Sequence, residues 1–499
     1  MSAQESQDIE GSAAGPPDPT GIAAVIVLAA GGGKRMKSKR SKLLHEVAGR
    51  PLVDHAIRAA ESLRPEHMAV VVGVMADQVV PVLSQVAPEV RIVTQSDDAY
   101  GTGHAVRCAM NELPGLTGEV VVTYGDVPML TAATLRRLVD QHRAETNAIT
   151  VLTARVPNPA GYGRIIRDAL GEVLRIVEHK DATEQERLVD EINSGIFVFD
   201  AAVLRDGLNH LTADNAQGEY YLTDLPGYVH HHGLRIGAWV TEDLWETEGV
   251  NTRVQLAAMN AEMNRRIGER WMLEGVTIVD PATTWIGADV TLAEDVTLLP
   301  GTALQGATSV AAGATIGPDT TLVDCEVGED ATVVRAHAEL AVIGAQASVG
   351  PFAYLRPGTQ LAARSKVGTF VETKNAQLGE GAKAPHLSYV GDATIGANAN
   401  IGAGVIFANY DGLVKSHTDV GEASFVGSDS VLVAPVRVAD GAYVAAGSTV
   451  TADVDPGQLA VSRARQRNID GWVQRKRAGT KTAAAAERAL GRPADPEQT

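Results

Sequence analysis

WIGADVTLAEDVTLLPGTALQGATSVAAGATIGPDTTL, residues Trp285–Leu322, decides the fold of the C-terminal half of this chain, because an aliphatic residue returns in it at every sixth position. Ile286, Leu292, Leu298, Leu304, Val310, Ile316 and Leu322 keep one register, and that period belongs to neither an α-helix nor an ordinary strand. Six-residue units, each a short strand plus a turn with its aliphatic side chain pointing inward, predict a hexapeptide-repeat parallel β-helix. Val290, Val296, Thr302, Thr308, Ala314 and Thr320, two places before the aliphatics, are small enough for a tight corner. The beat breaks off and restarts through Ile343, Val349, Leu355, Leu361 and Val367, then Ile395, Ile401 and Phe407, then a last run from Val420 to Val450. At roughly three units per turn, the stretch from Val276 to Val454 should make on the order of ten coils.

Outward from the repeat, the length of the chain calls for two or more domains, and the scarcity of aromatics, 4% of residues, suits a narrow coil filled by aliphatics. A formal charge of -18 argues against a nucleic-acid partner, which would need a basic face. Any phosphorylated ligand must then be met by locally placed cations. Two cysteines, Cys108 and Cys325, are too few for a disulfide framework and point to a reducing cytoplasm. No signal peptide or membrane span is evident. The first and last twenty or so residues are polar and rich in Pro and Ala, and are expected to lack structure.

Between the N-terminal tail and the repeat, the apolar runs AAVIVLAA, MAVVVGV, VRIVTQ, EVVVTYGD and NAITVLTA alternate with segments of helical period. That alternation predicts a parallel sheet with helices on both faces. The first run leads into Gly31, Gly32 and Gly33, then Lys34, Arg35 and, further on, Lys42. A glycine-rich turn after a first strand lets backbone amides approach phosphates, and nearby cations neutralise them. A nicotinamide site is disfavoured, because Arg35 stands where a third glycine would be and the second strand ends in Gly73, Val74 and Met75 with no acidic residue.

LAAGGGKRM with SKLLH resembles the signature of the sugar-phosphate nucleotidyltransferases, and further matches follow in that family's order. These are GTGHA at Gly101, YGDVP at Tyr124, GYGR at Gly161, VEHKDAT at Val177, NSG at Asn193, NAQGEYYLTD at Asn215 and EGVNTR at Glu248. With the repeat behind them, residues 22–477 resemble the bacterial family of bifunctional N-acetylglucosamine-1-phosphate uridyltransferases and glucosamine-1-phosphate acetyltransferases. The fold implied is an α/β, Rossmann-like nucleotidyltransferase domain followed by a left-handed parallel β-helix of hexapeptide repeats. Its divisions would be a tail 1–21, the nucleotidyltransferase domain 22–253, a linker helix 254–273, the β-helix 274–455 and a C-terminal tail 456–499.

Attack of a sugar phosphate on the α-phosphate of a nucleotide needs charge neutralisation and in-line positioning rather than a base. Arg35 and Lys42 can supply the cations, and Asp126 with Asn251 would hold Mg²⁺ through oxygen. The resemblance further assigns Leu28, Ala29, Gly31, Gln95, Gly101 and Thr102 to UTP, and Tyr124, Gly163, Glu178 and Asn193 to the N-acetyl sugar. One extra residue between Gln95 and Gly101 leaves open whether Gln95 or Ser96 meets uracil. Lys34, Ser41 and Thr252 replace a usual Thr, Pro and Asn.

In the repeat, polar residues intrude on an Ala/Val/Gly fabric: Arg356, Glu372, Lys374, His386, Tyr389, Asn400, Asn409, Tyr410 and Lys415. A histidine accompanied by three cations and a carboxylate reads as functional. Acetyl transfer to an amine requires a proton acceptor as the amine attacks a thioester. The resemblance gives that role to His386, oriented by Glu372. It gives Arg356, Lys374 and Lys415 to the phosphate of glucosamine 1-phosphate, and Tyr389 and Asn400 to its hydroxyls and amine. Asn409, Tyr410, Ser428, Ala446 and Arg463 fall to acetyl-CoA, with Ser428 placed to stabilise developing negative charge. Trp472 could cover that cofactor or belong to an exposed tail. A homotrimer through the β-helix, small-molecule substrates, and a place in peptidoglycan precursor synthesis are implied as well. Two other readings use the same domains: a single-activity nucleotidyltransferase whose β-helix only assembles trimers, and a silent nucleotide-sensing subunit. His386 among cations speaks against the first, and the full set Arg35, Lys42, Asp126 and Asn251 against the second.

Overall fold

The computed structural model describes residues 21–95 and 99–491. The N-terminal tail, residues 96–98 with the alternative base contact Ser96, and residues 492–499 lie outside the described residues. Two compact units divide the chain, 1–325 and 326–499.

In the first unit, all five apolar runs form strands of one sheet. Its order is Ile236–Thr241, Ile149–Arg155, Glu191–Asp200, Glu119–Tyr124, Ala24–Ala29, His67–Val72 and Arg91–Thr94. The first strand alternates its side chains between two cores. Ala24, Ile26 and Leu28 join the helices Thr102–Asn111, Ala201–His210 and Leu225–His231 on one face, while Val25, Val27 and Ala29 join Leu52–Glu61, Ala76–Val86 and Ala132–Ala144 on the other. The expectation of a parallel sheet needs one correction. Glu191–Asp200 runs antiparallel to both of its neighbours, because the chain reaches it from the hairpin Arg164–Arg167 and Val173–Val177 and not through the crossover helix that parallel neighbours require.

The helix Arg253–Leu273, capped by Thr252, is held along its length. Asn260 accepts from Ala48 N at 2.9 Å and donates to Glu46 O at 3.0 Å, whereas Asn264, one turn later, donates to Thr284 O at 2.8 Å and accepts from Ile286 N at 2.9 Å. Arg266 forms a two-pronged ion pair with Asp243. The first coils therefore pack with the sheet domain in one compact unit.

Short strands of the repeat bury the aliphatic residue and expose its neighbour, as at Thr291–Leu292 and Glu326–Val327. Successive coils stack in parallel, with Ile286 beside Leu304, Leu292 beside Val310 and Leu298 beside Ile316, so one turn takes three hexapeptides. These many short parallel strands in curled sheets are the left-handed parallel β-helix that the beat requires. The interruptions of the beat are changes of corner length. In the second unit Val333 sits beside Val349, Leu361 beside Leu378, and Phe407 beside Leu432, so turns shortened by one or two residues and turns carrying a loop share one stack with regular ones.

The buried threonines at the corners do more than fit. Thr302 and Thr308 donate to the carbonyls of Leu299 and Gln305 at 2.7 and 2.6 Å, and Thr359 to that of Arg356 at 2.7 Å, so each buried hydroxyl finds its partner in the turn it closes. Glycine after the aliphatic residue has a separate cause. A Cβ on Gly344 would lie 2.6 Å from the carbonyl oxygen of Leu361 in the next coil. Gly344→Ala should therefore cost roughly 1–3 kcal/mol through overpacking against backbone. A thermal melt reads this, and an unchanged midpoint would mean that the coils can part to admit the methyl group.

At the C-terminal end the expected lack of structure is corrected in part, because Lys481–Leu490 is helical. Thr480 caps it by accepting from Ala483 N, and the run Ala483–Ala486 has the highest intrinsic helix propensity.

Candidate functional site

A cleft of about 520 Å³ opens at the C-terminal end of the first strand, lined by Leu28, Ala29, Gly31, Lys34, Lys42, Gln95, Gly101, Thr102, Tyr124, Asp126 and Glu219. The end of a parallel strand at this position is where the sheet presents its loops to a ligand. Lys42 Nζ pairs with the carboxylate of Asp126 and donates to Asn251 Oδ1 at 3.0 Å. Asn251 is fixed from behind by Gln255, whose side chain accepts its N–H at 3.0 Å, while Thr252 caps the helix that follows. The replacement Thr252 thus has a structural task. A carboxylate and an amide oxygen facing one cation are a hard oxygen pair, which suits a small divalent ion completed by phosphate oxygens and water. Among the described residues no group of three or more His, Cys, Asp and Glu could hold a metal alone, and this site would complete its coordination from the substrate. Arg35 stands exposed on the short helix Lys34–Met36. Its charge reaches Tyr162, whose hydroxyl burial and Glu248 push up while Arg35 opposes.

The residues assigned to the sugar converge. A Cβ on Gly163 would meet Asn193 Cβ at 3.5 Å and Glu178 Oε1 at 3.6 Å, and Asn193 N donates to Gly163 O at 3.0 Å. Burial raises Glu178 although Thr223 donates to it at 2.9 Å. Burial, with the charges of Glu178 and Asp181, also pushes Asp224 up to about 6. Tyr124 is half-buried, and desolvation of its hydroxyl, Glu178 and Asp126 hold its phenol protonated. Its ring lies on Gly195, where a Cβ would come within 2.3 Å of Cε2. Thr223, Glu219 and Gly195 went unassigned in the sequence, although the NSG and NAQGEYYLTD motifs contain them.

The second cluster lies in unit 326–499. Stacked strands bring Tyr354, Glu372 and Tyr389 into one column and Lys374 beside Gly391. Arg356 donates to Glu372 at 2.9 Å. In this chain, therefore, the Glu372 carboxylate is engaged by Arg356, and no hydrogen bond joins it to His386. Lys374 and Lys415 lie side by side, and Lys415, with burial and Arg356 adding, pulls Lys374 below the usual lysine range. Two ammonium groups kept together with an arginine nearby suit a phosphate dianion. Asp392, which the sequence reading passed over, organises them. Burial opposes its charge, but hydrogen bonds from Asn375 and Asn409 and the charges of Lys374 and Lys415 hold its carboxyl low. Asn409 thus spends its amide on Asp392, and Tyr410 donates to Gly412 O at 2.6 Å within the hairpin loop that ends at Lys415.

His386 closes the strand Lys383–His386, exposed, and with Tyr389 flanks the corner at Leu387. Asn400 is outside this cluster, on the strand beside that of His386, where it pairs with Lys383 at the far end and with Phe425. Ser428 and Ala446 fall at successive coils, with Ser428 O accepting from Gly447 N at 2.8 Å, and the Arg463 side chain reaches the same corner beside Gly447. Trp472 is half-exposed under Arg477.

A model of the MobA-like NTP transferase domain matches residues 25–191. Over 468 residues, 94% of this chain, the sequence is 56% identical to the bifunctional protein GlmU of Kineococcus radiotolerans and covers 95% of it. The bifunctional protein GlmU of Streptomyces avermitilis is 56% identical over 94% of this chain and 98% of its own length, and that of Corynebacterium efficiens 53% identical over 93% and 96%.

Proposed function

Because the chain belongs to the bifunctional GlmU family, we propose a reading in which its two sites act in sequence. The protein is an enzyme with two activities: N-acetylation of glucosamine 1-phosphate, then uridylyl transfer from UTP to N-acetylglucosamine 1-phosphate, giving UDP-N-acetylglucosamine and pyrophosphate. One observation carries the reading at the level of sites, namely that each compact unit holds its own cluster of cations with a different partner chemistry beside it.

In the nucleotidyltransferase cleft, Lys42 and Arg35 neutralise the triphosphate, the amides after the first strand approach it, and Tyr124, Gly163, Glu178 and Asn193 hold the sugar. Mg²⁺ held by Asp126 and Asn251 would offset charge on the phosphates as the α-phosphate is attacked. Lys42 then gives up its contact with Asp126 and turns to the phosphates. In the β-helix, Arg356, Lys374 and Lys415 anchor the sugar phosphate and His386 takes the proton of the attacking amine, with acetyl-CoA as donor along the Ser428, Ala446 and Arg463 corner. Glu372, paired with Arg356 in the single chain, is the group able to orient His386 when substrate phosphate takes over Arg356.

Assembly as a homotrimer through the β-helix is part of this proposal. Phe352 and Phe370, 51% and 59% exposed, stack at 5.3 Å at successive corners, and Leu387 is 60% exposed at the next. Second copies of the chain would cover this column, and would bring Asn400 of one chain to His386 of another. The functional division at the linker helix 254–273 is likewise proposed. A cytoplasmic location fits the two free cysteines and the lack, among the described residues, of any helix long and apolar enough to cross a membrane.

The test supplies glucosamine 1-phosphate, acetyl-CoA, UTP and Mg²⁺ and follows CoA, pyrophosphate and UDP-N-acetylglucosamine together. CoA should lead and the other two should follow in equal amounts. If N-acetylglucosamine 1-phosphate gives pyrophosphate but glucosamine 1-phosphate releases no CoA, the β-helix is only a scaffold. Silence in both would leave a sensing subunit.

A further inference from the structure

Gly101 is pinned. Its φ is +111°, a Cβ there would lie 2.3 Å from Tyr220 O, and Tyr220 N donates to Tyr100 O at 2.9 Å. The carbonyl of Gly101 therefore has a fixed direction, and it meets Gln95 Nε2 at 3.2 Å. A carbonyl oxygen can only accept, so the NH₂ end of the Gln95 amide must face it. The second N–H of that NH₂ points at His104 Nδ1, 3.3 Å away. Nδ1 facing that N–H is its acceptor, and Nε2 lies 3.7 Å from Cys108 Sγ. His104 is 4% exposed on the helix Thr102–Asn111, its ring 6.5 Å from that of Tyr220. Both amide protons of Gln95 are thus committed to protein, while its Oε1 accepts from no described residue and the side chain lines the nucleotide cleft.

We propose that His104 is a positioning residue for base selection: by accepting at Nδ1 it holds the Gln95 amide with the carbonyl oxygen, not the NH₂, toward the nucleotide base. Uracil presents a donor at N3 and cytosine an acceptor, so an Oε1 facing N3 favours UTP and repels CTP. If the amide turned over, that preference would invert at this atom. Discrimination between a donor and an acceptor at a buried polar contact is stronger than any that shape supplies. The inference rests on the reading that Gln95 meets the base.

The experiment measures kcat and KM for UTP and CTP in the full-length enzyme with N-acetylglucosamine 1-phosphate and Mg²⁺. His104→Leu should raise the KM for UTP by about tenfold, the size of one hydrogen bond, leave kcat within about twofold, and shrink the UTP/CTP ratio of kcat/KM by a similar factor. His104→Asn, whose Oδ1 also accepts near the place of Nδ1, should restore most of both. Acetyl transfer by the same preparations and their melting curves report folding, and His104→Met takes the place of His104→Leu if the latter does not fold. Gln95→Leu separates the two readings. If Gln95→Leu abolishes the preference while His104→Leu keeps it, His104 does not position the amide. If Gln95→Leu itself keeps the preference, the base-contact reading fails and the proposal with it.

Discussion

His386→Ala should lower acetyl transfer to glucosamine 1-phosphate by roughly 10² to 10⁴, the range for loss of a general base, while uridylyl transfer stays near the wild-type rate. The structure favours a clean result. The His386 carbonyl is held by Gly404 N at 3.2 Å and by the buried Ser388 hydroxyl at 2.8 Å, and the side chain is exposed. Removing the ring therefore leaves the corner in place. Paired assays of CoA release and pyrophosphate release on one preparation check this. Unchanged acetyl transfer would move the base to Glu372 or to a neighbouring chain.

Asp126→Ala should reverse the asymmetry. Uridylyl transfer should fall by on the order of a hundredfold or more, as expected when a metal oxygen ligand is lost, and acetyl transfer should stay near normal. Asp126 sits in the turn that follows the strand Glu119–Tyr124, and its backbone carbonyl accepts from Val250 N at 3.0 Å, so the loop keeps its tether when the carboxylate goes. The ammonium of Lys42 is left with Asn251 alone. Raising Mg²⁺ should recover part of the rate. Equal collapse of both activities would mean that the chain had misfolded, and normal uridylyl transfer would place the metal elsewhere.

How much of this was legible in the sequence follows from the range of the forces concerned. The aliphatic beat is a local code, since each inward side chain is set by the pleat of its own strand, and it placed the buried residues of the coils correctly. The first strand was equally plain because it feeds two cores at once. Motifs carried the long-range part of the site: Lys42, Asp126 and Asn251 meet across sequence separations of 84 and 209 residues, which no periodicity could have brought together. What stayed hidden depends on partners chosen only in three dimensions. Asn260 and Asn264 read as helix surface until their carbonyl and amide partners appear on either side. Glu372 looked like a partner for histidine, but Arg356 lies one coil away on the same face and claims it. Asp392 is one more polar residue in the repeat until Asn375 and Asn409 are seen donating to it. The reversed strand Glu191–Asp200 was invisible because apolar runs carry no direction.

The coils differ in corner length while their inward aliphatics keep one stack, and this has an evolutionary consequence. Between Ile395 and Val420, neighbours in adjacent coils, the chain leaves the stack to form the loop with Asn409, Tyr410 and Lys415 and then rejoins it. A scaffold whose rungs are fixed by packing and whose corners are free in length can gain a peptide segment at a corner without renegotiating its interior. New recognition can thus be added by insertion rather than by substitution. Here such an insertion carries Lys415, one of the two lysines proposed to meet the sugar phosphate, while the inward column beneath it runs on through Ile395, Phe407 and Val420.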